Sequence, residues 1–129
     1  MKVLIDENLP PALAKALHHC STAIMKWSIY ETVSAPVDRE WIEKLSAEGR
    51  CIVISGDRRI TRNRVEYTAF RNSRLVGFFL SKGLYKAPLI KQMERILALW
   101  SAMETQSGIV AGGAMFMIPM KSTRLEQLK

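Results

Sequence analysis

The chain has 129 residues with 48% hydrophobic side chains, which fits one domain with its own core and excludes a disordered chain. Lys and Arg number 19 against 12 Asp and Glu, leaving +7, so the expected partner is anionic, with nucleic acid first in line. Cys20 and Cys51 lie far apart, and neither has a His or Cys at metal-ligand spacing, which sets aside a disulfide framework and a zinc site.

Val3-Leu4-Ile5 opens the chain as a short apolar strand closed by Asp6 and Glu7, in place of a signal peptide. Pro10 and Pro11 suit the first turn of a helix, with Leu13, Ala14, Leu17 and His18 on its inner face. His18 and His19 fall at the helix end and read as structural. A second strand is expected at Thr22 to Met25, then a loop rich in Ser, Pro and Val. Asp38 caps a second helix running to Glu48, with Trp41, Ile42 and Leu45 as its apolar stripe and Gly49 as its stop.

Cys51 to Ser55 is a third, uninterrupted apolar strand, and Gly56-Asp57 turns out of it. Thr61 caps a third helix to Arg71. Leu75 to Leu80 forms a fourth strand, interrupted by Gly77. A fourth helix spans Pro88 to Glu104 on Leu89, Met93, Ile96, Leu97 and Trp100. Ala114 to Ile118 adds a last strand, and Met115, Met117 and Met120 cluster there as core filling. The expected organisation is one domain over residues 1–120 and a charged tail over 121–129. No apolar stretch approaches ~18 residues, so nothing spans a membrane and a cytoplasmic location is expected. Alternating apolar strands and helices predict an α/β fold, three layers (α/β/α) around a central, mainly parallel sheet.

Ligands of such sheets bind beyond the carboxyl ends of the strands. Asp6, Glu7 and Asn8 follow the first strand, Asp57 follows the third, and Asp38 and Glu40 open the helix between them. Taken singly, each is an ordinary strand end, cap or turn residue. Together they bring carboxylates from three segments to one edge. Crowded carboxylates repel unless a cation neutralises them, and hard oxygen donors without Cys or His suit Mg²⁺ or Mn²⁺. Such a site suits phosphodiester hydrolysis.

Val3-Leu4-Ile5-Asp6-Glu7-Asn8-Leu9-Pro10, Val37-Asp38-Arg39-Glu40-Trp41-Ile42 and Ser55-Gly56-Asp57-Arg58-Arg59-Ile60 occur in the order of three acidic segments of PIN-like domains. The chain resembles the VapC-related toxin ribonucleases over residues 1 to about 86. The resemblance implies a PIN-like fold and hydrolysis of RNA by metal-activated water. It makes Asp6, Asp38 and Asp57 the catalytic residues and metal ligands, with Glu7, Glu40 and Glu66 as further candidates. Glu66 enters because PIN nucleases usually offer a fourth acid after the third, and no Asp follows in that stretch. A cognate antitoxin and a homodimer are the implied protein partners, with Trp100 and the Met-rich end as the apolar contact surface.

Arg58, Arg59, Arg62, Arg64, Arg71 and Arg74 follow closely on Asp57. Arginine binds phosphate through a planar fork, so Arg58, Arg59, Arg62 and Arg64, with Asn8, are the candidate nucleic-acid contacts. Arg71 and Arg74 read equally as a solvated helix face, and Lys82 and Lys86 extend the surface in a loop. Two other readings stay open. A non-catalytic nucleic-acid-binding module of the same fold accounts for the missing fourth acid. A phosphoacceptor receiver-like domain also places acids after strands one and three, but gives Asp38 no role.

Overall fold

Cys51 to Ile54 and Leu75 to Leu80 are apolar at nearly every position, which demands cover on both faces of the sheet they join. The structure, a computed structural model, describes residues 2–5, 9, 11–20, 28–31, 51–56 and 64–128. Its elements are β1 (Lys2–Ile5), α1 (Pro11–Cys20), β2 (Ser28–Glu31), β3 (Cys51–Ser55), α2 (Arg64–Arg71), β4 (Leu75–Leu80), α3 (Lys82–Tyr85), α4 (Leu89–Ala98), α5 (Trp100–Ile109), β5 (Met115–Ile118) and β6 (Glu126–Leu128). The strands form one sheet in the order β2-β1-β3-β4-β5-β6. Every pairing is parallel except β5 with β6.

Alternate residues of the central strands divide between two cores. Val3, Ile5, Ile52, Ile54, Val76, Phe78, Leu80, Phe116 and Ile118 face one layer, made by Leu13 and Leu17 of α1, Leu84 of α3, Ile96 of α4, and Trp100 and Met103 of α5. Val53, Leu75, Phe79 and Met115 face the other, against Phe70 of α2. This is the expected α/β/α arrangement. Phe78 and Phe116, partners in register on β4 and β5, stack at 5.4 Å between ring centroids, an arrangement aromatic pairs favour. Gly77 faces the second layer. A Cβ there would lie 2.8 Å from the Phe79 ring and 2.9 Å from Cζ of Phe70. The glycine that seemed to interrupt β4 is the space that lets two rings close over it.

Several expectations change. The strand beside β1 is Ser28–Glu31, inside the stretch expected to be a loop; Ile29 and Tyr30 supply its β propensity. Residues 22–25 and the helix expected from Asp38 lie outside the described residues, as does Thr61, and α2 is described from Arg64. The expected helix from Pro88 to Glu104 is two helices meeting at Leu99, whose φ of −99° and ψ of 6° leave helical geometry. Leu99 and Trp100 are both buried. A straight helix sets neighbours about 100° apart, and the bend lets both reach the core.

The polarity of α4 also differs from the expected stripe. Ile96 and Trp100 are buried and Met93 packs against the core as expected, but Leu89 and Leu97 are exposed, and Gln92 and Arg95 are buried on the inner side. Arg95 Nε donates to the carbonyl of Pro119 at 3.2 Å, and its Nη2 donates to the carbonyl of Ser122, so a charged side chain ties α4 to the connection between β5 and β6. Of the residues expected at a subunit contact, Trp100 and Met115 are buried in the core, while Met117 and Met120 are partly buried. Within the stretch expected as a charged tail, Glu126–Leu128 forms the antiparallel edge strand. Among the described residues no helix is long and apolar enough to cross a membrane.

Gly77→Ala forces the Phe70 and Phe79 rings apart and is expected to cost about 1–3 kcal/mol, the usual penalty of overpacking. Urea denaturation of the variant beside the wild type measures it.

Candidate active site at the carboxyl edge of the sheet

In a parallel sheet all strands end on the same edge, and here the strands on that edge end at Ile5, Glu31, Ser55, Leu80 and Ile118. From β1 the chain goes to β2 on one side, then returns to β3 on the other. The order of the sheet therefore reverses between β1 and β3, and open α/β sheets bind ligands at that reversal. Ile5 and Ile54 are register partners there.

Asp6 is the next residue in the chain after β1, and Asp57 is the second after β3. Asp6, Glu7, Asn8, Asp38, Glu40, Asp57, Arg58, Arg59 and Arg62 lie outside the described residues. Glu66 and Arg64 belong to α2; Arg64, its first residue, is exposed. Among the described residues no group of three or more His, Cys, Asp or Glu side chains is placed to hold a metal ion.

Among the described residues, the arginines of the basic segment do not share one edge of the sheet. Arg71 ends α2 and Arg74 precedes β4, so both sit at the amino edge of that strand, opposite the carboxyl edge. Arg71 has a structural task. Its guanidinium lies 5.2 Å from the Tyr67 ring centre, Nε donates to the Tyr67 hydroxyl at 3.0 Å, and Nη2 donates to the carbonyl of Leu128 at 3.1 Å. It holds β6 rather than reaching for a phosphate. Lys82 and Lys86 do occupy the carboxyl edge, exposed, as the first residue and the C-cap of α3 rather than in a loop.

Sequence reasoning missed what surrounds Gly56. A Cβ on this residue would fall onto Cδ2 and Cε2 of the Tyr85 ring and within 3.0 Å of Leu9 Cδ2. The end of β3 is thus seated beneath an aromatic ring, next in the chain to Asp57. Tyr85 is nevertheless 40% exposed. The helix that carries it is tethered at both ends. Ser81 Oγ accepts from the amide of Leu84 at 3.4 Å, and the amide of Ser81 donates to the carbonyl of Ile118 at 3.0 Å. At the far end Gln92, 3% exposed, donates from Nε2 to the carbonyls of Leu84 at 3.3 Å and Tyr85 at 3.1 Å. Only the small residue before Asp57 hinted at this close approach, and nothing in the sequence paired it with Tyr85.

Gly56→Ala is expected to displace the Tyr85 ring at a cost of about 1–3 kcal/mol. In a Tyr85→Ala background the same change should cost markedly less, because contacting residues couple. Thermal denaturation of the four proteins reads the difference; an equal cost in both backgrounds would show that the methyl does not meet the ring.

A family model described as a PIN like domain matches residues 1–82. No curated protein and no solved structure matches the chain.

Proposed function

The chain belongs to the PIN-like domain family, and from that premise we propose that it is a metal-dependent endoribonuclease, the toxin of a toxin–antitoxin pair. PIN domains are generally nucleases and commonly use divalent metals. The observation that carries the reading is the reversal of strand order between β1 and β3, with Asp6 and Asp57 following those two strands in the chain.

Asp6, Asp38 and Asp57 are all carboxylates, so the donor set fits Mg²⁺ or Mn²⁺ and suits neither zinc nor a softer ion. These three residues would hold the cation, with Glu7, Glu40 or Glu66 as a further ligand. When bound, the cation supplies a more acidic water and offsets the charge that builds on the phosphate. Arg58, Arg59, Arg62, Arg64 and Asn8 bind and orient the RNA backbone, as planar guanidinium groups suit phosphate. The overall charge of +7 draws the polyanion in from a distance. A cognate antitoxin is the expected protein partner, and it would cover the acidic edge.

Cleavage of a labelled mixed RNA pool by purified protein, with Mn²⁺, with Mg²⁺ and with EDTA, tests the proposal. Metal-dependent cutting is expected, lost by at least about 100-fold in Asp6→Asn and in Asp57→Asn without loss of folded structure, as befits removal of a charge acting at the reacting centre. Full activity in Asp57→Asn would overturn the site. Metal-loaded, folded protein that binds RNA with a steep salt dependence but never cuts it would leave the non-catalytic module in its place. Arg58→Ala is expected to weaken RNA binding and to lower the salt slope by roughly 0.7, the share of one phosphate contact on a single strand; fluorescence anisotropy across a salt series measures it, and an unchanged slope would remove Arg58 from the interface.

A further inference from the structure

We infer that Tyr85, flanked by Lys82 and Lys86, is a stacking platform that receives an unpaired base of single-stranded RNA beside the carboxylate site. The inference rests on the nuclease reading and deepens it by naming the residue that contacts a base of the substrate.

Three observations carry it. The Tyr85 ring is held in place yet remains 40% exposed. It lies over Gly56, which leaves it no room to sink further, and Gln92 fixes the backbone beneath it by donating to the carbonyls of Leu84 and Tyr85. A ring that is anchored and partly exposed offers a surface that is already ordered, which lowers the entropic cost of stacking a base on it.

The second observation is place. Gly56 precedes Asp57 in the chain, so a base held on Tyr85 is next to the segment that carries the acid. The third is charge. Lys82 and Lys86 are exposed on either side of Tyr85 on the same short segment. No acidic residue occurs in the chain between Glu66 and Glu94. The edge therefore offers two cations and a ring, the combination that binds single strands: cations track the backbone while bases stack in sequence-tolerant fashion. A duplex keeps its bases stacked on one another and presents none to such a ring. Gln92 acts through Tyr85 and is a positioning residue.

Fluorescence anisotropy with a short fluorescein-labelled single-stranded RNA of mixed sequence, in EDTA so that nothing is cut, tests the inference on the full chain. Tyr85→Leu is expected to raise Kd roughly 5- to 150-fold, the range for loss of one base–aromatic stack. Tyr85→Phe and Tyr85→Trp should stay within about threefold of wild type, since every aromatic face stacks. The same RNA annealed to its complement should bind Tyr85→Leu and wild type alike. Wild-type affinity in Tyr85→Leu, equal losses in all three variants, or an equal loss on duplex would each overturn the platform.

Should Tyr85→Leu fail to fold, Lys82→Ala combined with Lys86→Ala decides the matter from the exposed flank. The salt slope should then fall by roughly 0.7 per lysine, and an unchanged slope overturns the platform. Wild-type protein that binds no single-stranded RNA in EDTA overturns the platform, while metal-dependent cleavage by the same protein keeps the nuclease reading. Tyr85-dependent binding without metal-dependent cleavage supports the platform and overturns the hydrolase alone.

Discussion

The structure depends on burial of a parallel sheet on both faces. β4 exposes none of its six residues, and its neighbours β3 and β5 send successive side chains to opposite cores. Such strands cannot be covered by one layer, so α1, α4 and α5 close one face and α2 the other. Parallel strands require each connection to cross from one end of the sheet back to the other. All strand ends of one kind therefore gather on one edge, and the residues that leave them gather there in chain order. The position of the candidate site is thus a consequence of how the core is covered, before any functional side chain is considered.

Where a helix turns a polar face inward, something must satisfy it. Gln92 and Arg95 sit inside α4 while Leu89, Ile90 and Leu97 face out. Buried polar groups without partners cost about 1–3 kcal/mol each, and both residues spend their donors on backbone carbonyls of other segments. Gln92 fixes the end of α3; Arg95 fixes the stretch after β5. Arg71 does the same for β6 through the carbonyl of Leu128. Connections that lack enough apolar surface to hold themselves are fastened by hydrogen bonds from long side chains on the helices beside them.

This explains what the sequence reveals and what it hides. Continuous apolar runs identify β3 and β4 at their observed ends, because a strand buried on both faces needs no periodicity to be recognised. Ser28–Glu31 was harder, for a four-residue strand at the open edge of the sheet has no such run. The helix polarity was misread for a different reason. Leu89, Ile90 and Leu97 are as apolar as Ile96 and Met93, which do face the core, and the hydrogen bonds of Gln92 and Arg95 help decide which side of α4 turns inward. Arginine composition alone likewise cannot separate Arg71, which holds a strand, from an arginine free to meet phosphate. Asp6 and Asp57 were legible as candidates because each follows a recognisable strand. Asp38 had only a capping position to mark it, and all three lie outside the described residues. The seating of Tyr85 over Gly56 depends on a contact between residues 29 positions apart, which no local pattern encodes.

In the proposed reading, attraction and chemistry have different physical ranges. A net charge of +7 acts over a Debye length of about 8 Å or more and weakens as salt rises. Clustered carboxylates act in the opposite sense, because they repel a phosphate until a cation intervenes. A polyanion drawn to the carboxyl edge thus meets cations such as Lys82 and Lys86 that attract it and carboxylates that oppose it. A contact indifferent to salt and to charge resolves that conflict. An anchored aromatic ring supplies it: stacking holds one base at the edge whether or not the neighbouring acids are neutralised, and keeps the adjoining phosphate within reach when they are. The close approach at Gly56 then has a consequence beyond packing, since it sets the height of that ring relative to the end of β3.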